Sequence, residues 1–233
     1  MPGRPDPFLL AVESSSLTFS TAVSEGDRVL AFLQSEGKTF PSTLLTDLIQ
    51  QALGQPRWNL SDLEAIALSI GPGSFTGLRV GVMTVKTLAW SLKKPVLPVS
   101  SLEVIAQNLH DRKGEILLFV DARKGNVYCA RFLCDGRFPA RRLTPDELLR
   151  PEEALAQAAE GALVVGDGIR RYEELIRARG AGKFRLAPPE SWVPRADWVC
   201  RLAAAAWPSG RMDDPHRLVP QYLYSQEGDV TGR

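Results

Sequence analysis

One pattern occurs twice in this chain, and the duplication restricts its fold more than any other feature. Leu9-Leu10-Ala11-Val12-Glu13 is an apolar run ending in a carboxylate, followed by the polar turn Ser14-Ser15-Ser16 and an alternating stretch from Phe19 to Ser24. Glu25-Gly26-Asp27 then turns the chain into a third run, Arg28 to Leu33. Leu117-Leu118-Phe119-Val120-Asp121 repeats the first element, Ala122-Arg123-Lys124-Gly125 the turn, Asn126 to Leu133 the second strand, and Cys134-Asp135-Gly136 with Arg137-Phe138 the second turn and third strand. Short apolar or alternating runs separated by glycine and polar turns form antiparallel meanders. Two of them about 110 residues apart predict an internally duplicated α/β chain of two lobes, each a β-meander mixed sheet flanked by helices.

Between and after the meanders the pattern becomes helical. Phe40 to Leu53 carries Leu44, Leu45, Leu48, Ile49 and Leu53 on one face and is stopped by Gly54 and Pro56. Asn59 to Leu63 predicts a short helical turn, Ala65 to Ile70 a strand, Phe75 to Leu92 a long helix and Val96 to Val99 another strand. Ser100 and Glu103 have capping-box spacing for a helix to about Leu109. The polar stretch His110 to Gly114 marks the lobe boundary, giving lobes over 1–110 and 111–225 and a disordered tail over 226–233. In the second lobe we expect helices at Pro145–Leu149, Pro151–Glu160, Ile169–Arg179 and Arg195–Trp207, a strand at Ala162–Val165, and a last extended piece at Leu218–Leu223.

Composition narrows the function classes. The 233 residues are 44% hydrophobic, enough for two cores, and 28 basic against 27 acidic residues leave no global field toward nucleic acid or an anionic membrane. The longest apolar runs fall far short of the ~20 residues needed to span a bilayer. The N-terminal Met1-Pro2-Gly3-Arg4-Pro5-Asp6-Pro7 has no apolar export signal, so a cytoplasmic location is expected. Cys129, Cys134 and Cys200 form no Cys-x-x-Cys pair and read as reduced thiols.

Ser69 to Gly81 runs a strand through the glycine turn Gly71-Pro72-Gly73 into the long helix, with Ser74 placed to cap it. Such a turn can bind an anion at the helix N-terminus. It lacks the Gly-Lys-Ser/Thr ending of a P-loop, so a tight packing turn is the stronger reading. Gly77 and Gly81 fall four apart on one helix face, where each costs ~1 kcal/mol relative to alanine. Something must therefore pack close to the axis there.

Glu13 and Asp121 end the two equivalent strands, and strand-end carboxylates beside facing hairpins form the phosphate and Mg²⁺ cradle of actin-like ATPases. Against that, an acid at a strand end also simply caps a turn. The histidines, His110 and His216, form no metal-ligand or triad spacing. Arg123-Lys124 and Arg141-Arg142 could meet an anion or RNA, or be solvated faces.

Ile70 to Gly81 together with Asp121-Ala122-Arg123-Lys124-Gly125-Asn126-Val127-Tyr128 resembles the TsaB (YeaZ) family, with a likeness that runs from Phe8 to Pro220-Gln221-Tyr222-Leu223-Tyr224 and is loose between Thr144 and Met212. The resemblance implies an actin-like (ASKHA, RNase H-like) duplicated fold and a non-catalytic dimerisation or scaffold subunit of the machinery that makes N6-threonylcarbamoyladenosine in tRNA. It implies a TsaD-type catalytic paralogue and a TsaE-type ATPase as partners, tRNA reached indirectly through the complex, and a homodimer when alone.

It also implies pairing through the first two long helices, with Leu45, Leu48, Ile49, Phe75, Gly77, Leu78, Gly81, Thr84, Val85 and Leu88 as interface candidates. No cofactor is assigned. ATP or ADP would enter only at a complex interface, drawing on Glu13, Asp121, Gly166 and Gly168. The chain departs from the family in having Glu13 in place of Asp and Lys38-Thr39-Phe40-Pro41 where a histidine is usual. An autonomous ATPase or kinase using Glu13 and Asp121 around Mg²⁺-ATP is the alternative, and a glycoprotease-type hydrolase lacks a visible nucleophile and base.

Overall fold

The computed structural model describes residues 6–35, 43–180, 182–210 and 212–224. Phe40, the Lys38–Pro41 departure and the tail from residue 226 lie outside these residues. The chain forms two compact units: the first holds residues up to Val104 and Pro194–Pro220, the second Ile105–Val193 and the segment from Gln221.

In the first unit, β1 (Phe8–Glu13), β2 (Ser20–Glu25) and β3 (Arg28–Gln34) make the expected meander. A parallel strand β4 (Ala65–Gly71) lies on the other side of β1, followed by β5 (Val96–Ser100), so the order is β3-β2-β1-β4-β5. Helices α1 (Leu44–Gly54) and α2 (Phe75–Leu92) cross over between parallel strands, as parallel pairing requires. The α2 boundaries match the sequence pattern. Ser74 Oγ accepts from Gly77 N–H at 3.3 Å, and Lys93 ends the helix in the left-handed region ahead of Lys94-Pro95.

The second unit replays this order. β6 (Lys113–Arg123) and β7 (Asn126–Asp135) form the long hairpin, and β10 (Leu163–Val165) and β11 (Arg185–Leu186) extend the sheet in parallel beyond β6. α4 (Pro151–Gln157) and α5 (Ile169–Gly180) take the places of α1 and α2. Two mixed sheets with the same strand order, each flanked by helices, make up the duplicated, actin-like class.

Several expected elements move. The third strand of the second meander is not at Arg137-Phe138 but is split into β8 (Arg141–Arg142) and β9 (Glu147–Leu149), both paired with β7. Pro139 interrupts the run because it has no N–H for the ladder. The helix expected at Pro145–Leu149 is therefore a strand instead. Leu218 to Leu223 joins no sheet; Leu218 is buried, and its carbonyl accepts from Lys86 Nζ at 3.4 Å. The unit boundary falls inside α3 (Ser101–Ala106), after Val104 rather than at residue 110. The last helix, α6 (Ala196–Ala206), belongs with the first unit, where Ala196 N–H donates to Ser20 Oγ at 3.0 Å and the Cys200 thiol to the Ala22 carbonyl at 3.7 Å. Sequence order alone would have left it with the second.

Candidate functional site

In the first unit the candidate residues gather where β1 ends against the start of α2. Glu13 is fully buried, and its Oε1 accepts from Ser15 N–H at 2.6 Å and Ser15 Oγ at 2.5 Å, while Oε2 has no partner. Burial pushes the carboxyl pKa up from 4.5, against smaller downward pulls from Ser15 and from the nearby Ser69 hydroxyl, which makes no hydrogen bond of its own. Ser14 Oγ is likewise buried and unpaired.

The glycine turn closes over this serine loop. Ser74 N–H donates to the Ser15 carbonyl at 2.7 Å, and Ser101 Oγ ties down the Pro72 carbonyl. A Cβ at Gly73 would fall on the Ser15 carbonyl oxygen, one at Gly77 on the Ser14 carbonyl oxygen, and one at Gly81 on Ser14 Oγ. These glycines exist so that the turn and α2 can lie directly on the loop after β1. The loop after β1 is thus covered by the chain's own backbone. Glu13 is therefore a buried packing carboxyl rather than an exposed Mg²⁺ ligand.

The same packing corrects the interface candidates. Gly77, Leu78, Gly81 and Val85 face inward and are buried; Leu45, Leu48 and Ile49 of α1 belong to the core of the unit, and Thr84 and Leu88 are half-buried. Exposing five aliphatic side chains at roughly 1.5–3 kcal/mol each would cost as much as a whole domain's stability. Of the ten candidates only Phe75, 54% exposed, lies on the outer face. Helical geometry could have found its companions, since glycines that touch the sheet put the opposite side of α2 in solvent. That side shows Val80, Met83 at 61% exposure and Trp90 at 62%, and the Arg79 guanidinium lies over the Phe75 ring at 3.8 Å. Beyond Trp90 a cleft of about 770 Å³ opens among Lys93, Lys94, Met212, Asp213 and His216.

Asp121, Gly166 and Gly168 come together in the second unit. Asp121 Oδ1 accepts from Arg123 N–H at 2.9 Å, and Asp121 N–H donates to Asp167 Oδ1 at 3.0 Å. Arg123 and Arg171 both reach the Asp121 carboxylate, at 3.3 and 3.6 Å. A Cβ at Gly166 or Gly168 would meet the Phe119 carbonyl oxygen at 2.5 or 2.6 Å, and Gly168 N–H donates to that oxygen at 3.1 Å. Both glycines serve turn packing against β6. Asp167, missed in the sequence although it stands between them, keeps an exposed edge while the packed turn and then the Asp121 charge push its pKa up, the Asp121 N–H bond pulling the other way.

Among the described residues no group of three or more His, Cys, Asp or Glu could hold a metal ion, and no helix is long and apolar enough to cross a membrane. Cys129, Cys134 and Cys200 are free and buried, with thiol pKa values pushed by burial to about 12, 11 and 12.

The family described as TsaD, tRNA N6-adenosine threonylcarbamoyltransferase, matches residues 42–172. The tRNA threonylcarbamoyladenosine biosynthesis protein TsaB of Bacillus subtilis is 30% identical over 225 residues, covering 95% of this chain and 96% of the relative. The chain belongs to the TsaB (YeaZ) family. The TsaB of Escherichia coli is 27% identical over 220 residues, covering 92% of this chain and 94% of its own. The structure of YeaZ from Pseudomonas aeruginosa superposes with a TM-score of 0.78 at 26% identity, covering 93% of this chain and all of the other. The stretch Gly71–Gly81, on which the sequence resemblance rests, holds the glycines that seal the serine loop.

Proposed function

We propose that this chain, acting in tRNA threonylcarbamoyladenosine biosynthesis, is the non-catalytic scaffold subunit of the transferase complex and holds a TsaD-type catalytic paralogue. The observation that carries this is the closed serine loop: α2 lies with its glycines directly on the loop after β1 and turns Phe75, Val80, Met83 and Trp90 outward. An apolar strip on a rigid helix, edged by Arg79, suits a protein partner better than a small substrate. The partner is a TsaD-type protein because this chain itself matches that family over residues 42–172, so two related folds can pair helix to helix. The same face serves a second copy when the partner is absent, and a TsaE-type ATPase completes the assembly in the cytoplasm. Reconstitution tests the reading: tRNA modification with TsaD, TsaE and a threonylcarbamoyl-adenylate source should depend on this chain. Equal turnover without it would remove the scaffold role.

A further inference from the structure

Four cations lie at one end of the second unit, two of them in a backbone setting that ordinarily disfavours a side chain. Arg123 and Lys124 form the tip of the β6–β7 hairpin with φ of 65° and 50°, a left-handed conformation that residues with a Cβ rarely adopt and that glycine would take without strain. Arg170 and Arg171 stand in the short turn that opens α5, just ahead of a kink at Tyr172, whose φ of −117° and ψ of 18° are not helical. The Asp121 carboxylate joins the two elements, with Arg123 and Arg171 both reaching it.

The tip is also strapped in place. The Tyr224 hydroxyl lies within hydrogen-bond distance of the Ala122 and Arg123 carbonyls, at 2.9 and 3.1 Å, and Lys124 Nζ stands over the Tyr224 ring at 5.7 Å. All four basic residues are exposed, against the two carboxylates Asp121 and Asp167. Two successive basic residues held in the left-handed region, with an aromatic strap across them, mark a surface kept for a ligand.

We propose that the Arg123–Lys124 hairpin tip and Arg170–Arg171 form a phosphate-contacting surface for RNA, so that this chain touches the tRNA directly. Phosphodiesters fit because the four basic residues are exposed and stand on two elements, as contact with successive phosphates requires, and a phosphate could displace Asp121 from Arg123 and Arg171. The choice of RNA as the polyanion rests on the tRNA-modification reading above.

Binding of a tRNA transcript is measured by fluorescence anisotropy over a salt series, for the chain alone and for the assembled complex. The variant carries Arg123→Gly and Lys124→Gly together, which relieves the left-handed strain and so leaves thermal unfolding unchanged or raised. Removing two phosphate contacts should lower the slope of log K against log salt by roughly 1.4–1.8 and weaken binding about tenfold at 100 mM salt. Arg171→Ala should lower the slope by a further ~0.7–0.9. An unchanged slope and affinity in both the chain and the complex would overturn the proposal. So would loss of TsaE or TsaD from the complex with tRNA affinity intact, which would make the tip a protein contact. Direct binding is read without turnover, so it can fail while the scaffold role stands, and the reverse.

Discussion

Gly77→Ala tests whether α2 is bound to the serine loop of its own unit. In a solvent-exposed helix this change gains ~1 kcal/mol of helix propensity. Here the new methyl would land on the Ser14 backbone carbonyl, with the Phe19 ring 3.4 Å away, so neither neighbour can yield cheaply. Overpacking of a rigid site costs ~1–3 kcal/mol, and a backbone obstacle puts this one at the upper end. The net loss is therefore about 2 kcal/mol, or a fall of roughly 4–8 °C in Tm for a chain of this length.

Gly81→Ala meets the Ser14 hydroxyl rather than backbone, so its cost should be smaller and removable. Combining it with Ser14→Ala, which deletes an unpaired buried oxygen, should recover ~1 kcal/mol as a non-additive coupling, whereas Ser14→Ala should not rescue Gly77→Ala. Gly54→Ala at the end of α1, with nothing within 4 Å, supplies the control and should be neutral or stabilising. Thermal and urea unfolding give the stabilities, and light scattering gives the mass. If Gly77→Ala were as stable as Gly54→Ala but lost its partner, the glycines would face the partner and the packing argument would be wrong.

Two further outcomes follow from the same unit. Met83→Glu or Trp90→Ala on the outer face of α2 should weaken association with a TsaD-type partner by at least roughly thirtyfold, with stability unchanged within about 0.5 kcal/mol, as read by titration and thermal unfolding. Glu13→Gln keeps the acceptor for Ser15 and removes a buried acid whose native pKa lies above 4.5. The native state holds that proton more tightly than the unfolded chain, so wild-type stability falls as pH rises from 4.5 through the native value. The variant should gain on wild type as the pH rises above 4.5 in urea titrations, and a gain only below that pH would refute the buried-acid reading.

The duplication was legible because strand periodicity and turn residues are local signals, and the boundaries of α2 were legible because Ser74 and Lys94-Pro95 punctuate it. What the sequence misassigned depends on which side faces what. Gly77 and Gly81 announce a close approach without naming the neighbour, and a partner helix or the chain's own serine loop satisfies the pattern equally. Glu13 and Asp121 look equivalent at the ends of equivalent strands, yet one is sealed by the glycine turn and the other stays half-buried between arginines. The assignment of α6 was out of reach for another reason. Its apolar face at Val199, Leu202 and Ala203 states that it packs, while long-range return to β1 and β2 leaves no local mark.

That return has a consequence for how the protein is made. The first unit's sheet is complete in sequence by Ser100, but the helix that covers one of its faces ends at Ala206. At ~5–20 residues per second, a ribosome needs roughly 5–20 s to deliver the intervening ~100 residues. During that interval the apolar sheet face around Ala11 and Ala22 waits uncovered while Ile105–Val193 of the second unit emerges. Completion of the earliest-made part of this chain is thus timed by its latest-made helix.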